Sequence, residues 1–292
     1  MFEWTNVTET CSYIQAPAKI GIVETGDRKV VLIDSGNDKD AGRKIHRMLR
    51  DRGLTLTAIY NTHSHADHIG GNQFLQSQYD CRIFAPEEEL SFVLHPHLEP
   101  SFLYGGYPIE ELRGKFLVAR ESRAEALCDA VLPPMLSTFS LPGHTFGMAG
   151  FRTEDDIVFL ADCLCSKQAL DKYGVAYVYD VAAYIRTLEQ VENMRARLFI
   201  PSHAEPTENI APLTEYNRAK VFEFGERLTE LCHEPLTFET ILKEVFVLYD
   251  RVMNFEQRAL VGSTTRSYLA WLKMCGAISC HIEKNILYWQ KM

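Results

Sequence analysis

Within residues 61–71, NTHSHADHIGG, three histidines and an aspartate fall in six positions: His63, His65, Asp67 and His68. Imidazole nitrogen and carboxylate oxygen share one chemical use, a lone pair for a divalent cation at about 2.0–2.2 Å. In H-x-H, two rings can straddle one ion from an extended turn. A carboxylate two residues on, with the next histidine, then faces a second ion. Four donors cannot close two coordination spheres, and three further segments supply candidates: His144 in LPGHTFG, Asp162 in FLADCL and His203 in FIPSHAEP. Asp162, standing on another strand, can bridge both ions. Two ions about 3.5–4 Å apart share a hydroxide and clamp the oxygens of a displacement. The donor set suits zinc, with iron and manganese as alternatives.

Something must bring these donors together. The β-branched runs 20–25 and 29–34, joined at Gly26-Asp27, predict a β-hairpin. An apolar stripe of Ile45, Met48 and Leu49 predicts a helix over 40–52, ended by Gly53. Strand 56–61 runs straight into the histidine cluster. Strands 136–141, 149–153, 156–161 and 197–201 follow, and His144, Asp162 and His203 each stand just beyond one of them. Ligands gather at such strand ends in α/β folds. Gly70 and Gly71 allow close backbone approach beside a helix over 72–80. Helices are also expected over 86–94 and 180–195. The stretch 95–134, with five prolines and Gly105-Gly106, predicts an insertion or lid.

After Pro212 the texture changes. Residues 214–231, 238–249 and 255–275 read as three helices, the last capped by Asn254 with Gln257 at N3 and stopped by Gly276. A hairpin ends the sequence. The domain expectation is therefore 1–212 for a catalytic α/β domain and 213–292 for a small winged-helix-like module.

His63, Ser64, His65, Ala66, Asp67 and His68, with the later His144, Asp162 and His203, resemble the H-x-H-x-D-H signature and ligand segments of the metallo-β-lactamase-fold superfamily. The resemblance covers about residues 10–210 and implies an αββα sandwich with metals at one edge between two sheets. It assigns His63, His65 and His144 to one metal, Asp67, His68 and His203 to the second, and Asp162 to both. The β-lactamases proper of this fold lack a histidine like His68 or an aspartate like Asp162, and flavodiiron proteins usually carry Glu in place of His65. The full set is similar to the glyoxalase II, phosphodiesterase and ribonuclease branches. The C-terminal module is similar in layout to that of the β-lactamase-like protein 2 branch, which contains a mitochondrial endoribonuclease.

The other chemistry-bearing residues read more plainly. Asp34 in LIDSG is expected to hydrogen-bond the histidine loop, not to bind metal. His95 and His97 read as lid or solvated residues, His46, His233 and His281 as surface residues, and Cys163 as a buried small hydrophobe. Tyr104, Tyr107, Tyr173, Tyr177 and Tyr179 are cleft or core aromatics. Eight scattered cysteines point to reduced thiols.

The charge is uneven. Net charge is −9, yet residues 214–292 carry ten basic and ten acidic side chains. A neutral module on an acidic body disfavours polyanion binding. Arg258, Ser263, Thr264, Thr265, Arg266 and Lys273 keep a nucleic-acid face open as the weaker reading. With no run of 18 apolar residues and no basic-plus-apolar leader in MFEWTNVTETCSY, no membrane span and a cytoplasmic location are expected. The expected function is a metal-dependent hydrolase holding two divalent ions, read as zinc. Its hydroxide would attack an ester, thioester or phosphodiester, with Asp67 orienting that hydroxide. The module would shape the site as a lid or pair it in a homodimer. An iron persulfide dioxygenase using His63, His144 and Asp162 and a nucleic-acid-binding protein are the alternatives.

Overall fold

The computed structural model describes residues 2–292. Seven strands form the first sheet in sequential order: β1 (Glu3–Asn6), β2 (Cys11–Gln15), β3 (Ile20–Gly26), β4 (Lys29–Ile33), β5 (Thr55–Tyr60), β6 (Arg82–Ala85) and β7 (Glu125–Ala126). Pairing is antiparallel from β1 to β4 and parallel from β4 to β7. The second sheet holds β8 (Leu136–Ser140), β9 (Ala149–Thr153), β10 (Ile157–Cys165) and β11 (Leu198–His203), in the order β11-β10-β9-β8.

The two sheets meet face to face. Val23, Val31, Tyr60 and Phe84 of the first pack against Phe151, Phe159 and Ile200 of the second. Each phenylalanine so buried contributes roughly 1.5–3 kcal/mol. The first sheet's outer face, with Ile22, Leu32 and Ile59, is covered by α1 (Lys39–Asp51) and by α3 (Asn72–Tyr79), which follows the short α2 (Ala66–Ile69). The helices α4 (Glu87–Leu94), α5 (Leu98–Tyr104), α6 (Lys167–Tyr173) and α7 (Val181–Glu192) complete the α/β body. The result is the expected αββα layering.

Beyond it lie α8 (Ala211–Leu231), β12 (Leu236–Thr237), α9 (Phe238–Leu248), α10 (Phe255–Met274), β13 (Ile278–Glu283) and β14 (Ile286–Lys291). The last three strands form a sheet of order β12-β14-β13. Asn254 caps α10, its Oδ1 accepting from the Gln257 N–H at 2.7 Å. These helices are not apart from the body. Val221, Phe224 and Tyr268 share one apolar cluster with Leu160 of β10 and Tyr184 of α7.

Several elements differ from the expectation. The β3–β4 turn is made by Asp27 and Arg28, both left-handed with φ of 50° and 57°, and not by Gly26-Asp27. β1, β2 and α6 were not anticipated; their short runs show little periodicity. The 95–134 stretch is more than a lid: β7 extends the first sheet, and Leu103, Leu112 and Leu117 pack with Ala259 of α10.

Candidate metal centre

All seven expected donors converge at one end of the sandwich. β5 delivers the loop carrying His63, and His65 opens α2, which carries Asp67 and His68. The loop between β8 and β9 carries His144, and β11 ends on His203. Asp162 arrives differently. β10 does not stop before it but runs through to Cys165, with a register shift at Ala161. Ala161 is left-handed, φ 49°, and the bulge sits directly before Asp162.

The donor atoms form two groups: His63, His65, His144 and Asp162, and Asp67, His68, Asp162 and His203. Within each, one donor atom per residue lies within 4.8 Å of the others. His144 Nε2 is 3.1 Å from His65 Nδ1 and 3.6 Å from Asp162 Oδ2. His203 Nε2 is 3.3 Å from Asp67 Oδ2 and 3.1 Å from Asp162 Oδ2, and His68 Nε2 is 3.1 Å from Asp162 Oδ1. Tetrahedral ligands about 2.1 Å from one ion stand about 3.4 Å apart, so these edges suit metal spheres. His63 Nε2, His68 Nε2 and Asp162 Oδ1 are buried and make no well-aligned hydrogen bond among the described residues, although the last two face each other. Orphaned buried polar atoms are costly, and a cation would satisfy all three.

The opposite nitrogens are fastened. His68 Nδ1 donates to Asp34 Oδ2 at 2.7 Å. The Thr62 hydroxyl gives its one proton to Asp34, so it accepts from His63 Nδ1 at 3.0 Å. His144 Nδ1 donates to the Tyr177 carbonyl and His203 Nδ1 to the Pro17 carbonyl, each at 3.0 Å. These bonds turn four metal-facing lone pairs inward, as orienting partners of metal-bound histidines do. Asp34 therefore braces the cluster as expected. Its own backbone is left-handed, φ 64°.

Two buried glutamates were not anticipated. Glu89 on α4 accepts from the Ser64 N–H and hydroxyl with Oε2 and from the Gly147 N–H with Oε1 at 3.0 Å. It thereby ties the His63–His68 loop to the His144 loop. Glu99 on α5 lies 3.6 Å from His65 Nε2, and burial, then the charge of Glu89, pushes its carboxyl up to about 8. In sequence Glu89 looks like an ordinary helix glutamate and Glu99 falls in the stretch read as an insertion or lid, and no local signal marks either.

Electrostatics divides the two groups. Burial, then the charges of neighbouring histidines, holds His63 well below the usual imidazole range, and burial is the first cause that takes His65 and His144 to about 4. Burial also opposes charge on His68 and His203, but Asp162 and Asp67 outweigh it and raise both, His203 to about 10. Burial would raise Asp67, yet His68 and His203 hold it low.

Most of the remaining residues fall where their types suggest, but His46, expected at the surface, and Tyr107, expected in the cleft or core, do not. His95, His97, His233 and His281 are exposed, while His46 is half-buried against Phe74 and Tyr79. Cys163 is fully buried in the β10–α7 cluster. Tyr177 stacks edge-on against His65 and His144 at 5.3 and 5.5 Å, whereas Tyr107 is solvent-exposed. Gly70 and Gly71 press on the loop after β4: an added Cβ would fall 2.3 Å from Asn37 C and Ser35 O, respectively.

Known proteins share this fold. A family model described as Metallo-beta-lactamase superfamily matches residues 16–203. A probable metallo-hydrolase, YqgX of Bacillus subtilis, is 26% identical over 47% of this chain and 62% of its own length. A hydroxyacylglutathione hydrolase of Wigglesworthia glossinidia brevipalpis is 25% identical over 53% of each chain. The chain thus spans between half and two thirds of these relatives' lengths. Among solved structures, a beta-lactamase domain protein from Burkholderia ambifaria aligns with TM-score 0.75 and 17% identity, covering 99% of this chain and 94% of that one. A metallo-beta-lactamase family protein from Thermus thermophilus aligns with TM-score 0.73 and 21% identity over 100% and 98%. With its ligand segments inside the matched residues and the shared fold around them, the chain belongs to the metallo-beta-lactamase superfamily.

Proposed function

We propose that the protein is a dinuclear-metal hydrolase acting on a small ester or thioester. The observation that carries this reading is the pair of donor groups sharing Asp162. His63, His65 and His144 would hold one ion, and Asp67, His68 and His203 the other, with Asp162 common to both. Two divalent ions there, read as zinc from the nitrogen and oxygen donors, would supply hydroxide near neutral pH and polarise the scissile oxygen.

The chain's own residues orient this chemistry. Asp34, Thr62 and the Tyr177 and Pro17 carbonyls keep the ring lone pairs directed inward. Asp67, its side chain 38% exposed at the pocket, is positioned to orient the hydroxide. Relatives named for hydrolysing a hydroxyacylglutathione support acyl over phosphoryl substrates. The nucleic-acid face, the weaker reading of the sequence, offers little: Thr264 and Thr265 are buried, Arg258 pairs with Glu239, and Arg266 lies over the Phe238 ring. A small-molecule substrate is the reading these contacts support. Among the described residues, no helix is long and apolar enough to cross a membrane.

The test is turnover by zinc-reconstituted protein on ester, thioester and phosphodiester panels. Ester or thioester turnover that a chelator abolishes and zinc restores is expected. Cleavage confined to phosphodiesters, or oxygen uptake with a persulfide, would overturn it.

A further inference from the structure

Two cavities lie side by side at the ligand end of the sandwich. One, of about 460 Å³, is lined by His65, Asp67, His144 and Asp162. The other, of about 440 Å³, is walled mainly by Val175, Val245, Phe246, Tyr249 and Val261. Phe116, Tyr177 and Leu260 line both. Tyr177 makes the partition intimate, because its carbonyl holds His144 and its ring packs on His65. The second chamber therefore begins directly behind two of the metal-facing rings. Both volumes fall within the usual small-molecule range of about 300–1,000 Å³.

The chamber's lining is largely apolar; Glu256 and Gln257 also border it, and three of its other polar side chains are already engaged. Asn254 caps α10, the Thr264 hydroxyl accepts from the Val178 N–H, and Arg251 lies over the Tyr173 ring. A sugar, nucleotide or peptide arm would bring donors and acceptors that such walls leave unpaired, at a cost in affinity. A hydrocarbon arm brings none. The far wall comes from α9, α10 and the turn between them, so the C-terminal helices contribute to this chamber.

We infer that this chamber seats the acyl chain of the substrate, so that the preferred substrates are esters or thioesters of medium-length unbranched fatty acids. The inference rests on the hydrolase reading above. Water would add across the acyl C–O or C–S bond, leaving a carboxylate, a proton and the freed alcohol or thiol. The acyl carbon would sit in the ligand-lined cavity and its chain would pass Phe116 and Tyr177 into the second.

The test uses the zinc-reconstituted full chain with p-nitrophenyl esters from acetyl to decanoyl, and calorimetric binding of octan-1-ol as a non-hydrolysable probe. From butanoyl to octanoyl, kcat/KM should rise about fourfold per methylene, equivalent to about 0.8 kcal/mol each. Val261→Trp and Ala176→Phe, which fill the chamber from two sides, should each flatten that rise to less than twofold overall and abolish octan-1-ol binding. Metal content of each variant checks that it has folded. A flat length profile in the parent, with acetyl ester turned over, would overturn the inference and leave the hydrolase reading standing. Octan-1-ol binding equally to parent and both variants would also overturn it. Octan-1-ol binding that both variants lose, with no ester hydrolysed, would support the chamber and sink the hydrolase reading.

Discussion

The Asp34 carboxylate lies 2.7 Å from His68 Nδ1, with both side chains sealed from solvent. The same carboxylate accepts from the Thr62 N–H and hydroxyl, each at 2.8 Å, and through Thr62 it reaches His63. One side chain thus orients a ring in each donor group. Asp34→Ala should weaken metal binding about 10–100-fold at both positions, the usual cost of losing such a partner. Competition against a zinc-sensitive dye measures it. Unchanged affinity would show that packing alone orients the rings.

Glu89 joins the two ligand loops and has no contact with the donor atoms themselves. Glu89→Ala leaves the Ser64 and Gly147 N–H groups without their partner. Each unpaired buried donor costs about 1–3 kcal/mol, so a loss of about 3 kcal/mol in urea unfolding is expected. Glu89→Gln, which keeps an acceptor, should recover part of it. Equal losses in both variants would mean that the negative charge matters more than the bonds.

How much of this was legible in the sequence follows from what is local. His63, His65, Asp67 and His68 lie within one turn and announce themselves. His203 ends an apolar strand and His144 follows one closely, which places them at the same sheet edge. The bulge that brings Asp162 in from the interior of β10 depends on a left-handed Ala161, and alanine carries no signal for that conformation. Glu89 and Glu99 matter only through contacts 25 and more residues away in sequence, such as Glu89 with Ser64. The apolar chamber needs Phe116, Tyr177 and Val261 to meet, and no spacing rule links those three.

The two donor groups should differ in their response to pH. His65 and His144 stay neutral without metal, whereas His68 and His203 carry protons stabilised by Asp162 and Asp67. Metal must displace those protons, so binding at the second group strengthens as pH rises toward about 10, the value for His203. Without metal the sign reverses for stability. A histidine raised on folding stabilises most fully below its unfolded value of about 6.5, and that contribution fades as pH climbs through the folded value. Calorimetric zinc titrations at several pH values should show one step nearly constant and one gaining affinity and releasing protons. Two steps with the same pH dependence would contradict this division.

Cys163 stands beside Asp162 yet is fully buried, and burial pushes its thiol far above the ordinary range. It should resist alkylation in the folded protein at neutral pH, while the exposed Cys275 reacts. Cys163→Ser should cost about 1–3 kcal/mol for an uncompensated hydroxyl in an apolar cluster and still bind metal. Peptide mapping after iodoacetamide treatment tests the first part. A Cys163→Ser protein that holds its metals but turns over no substrate would give the thiol a chemical role.

The most direct measurement is anomalous diffraction at the zinc edge from crystals of zinc-reconstituted protein. Two peaks about 3.5–4 Å apart are expected, one among His63, His65 and His144, the other among Asp67, His68 and His203, with Asp162 between them. A single full-occupancy peak, with Asp67 and His68 turned away from it, would contradict the dinuclear centre.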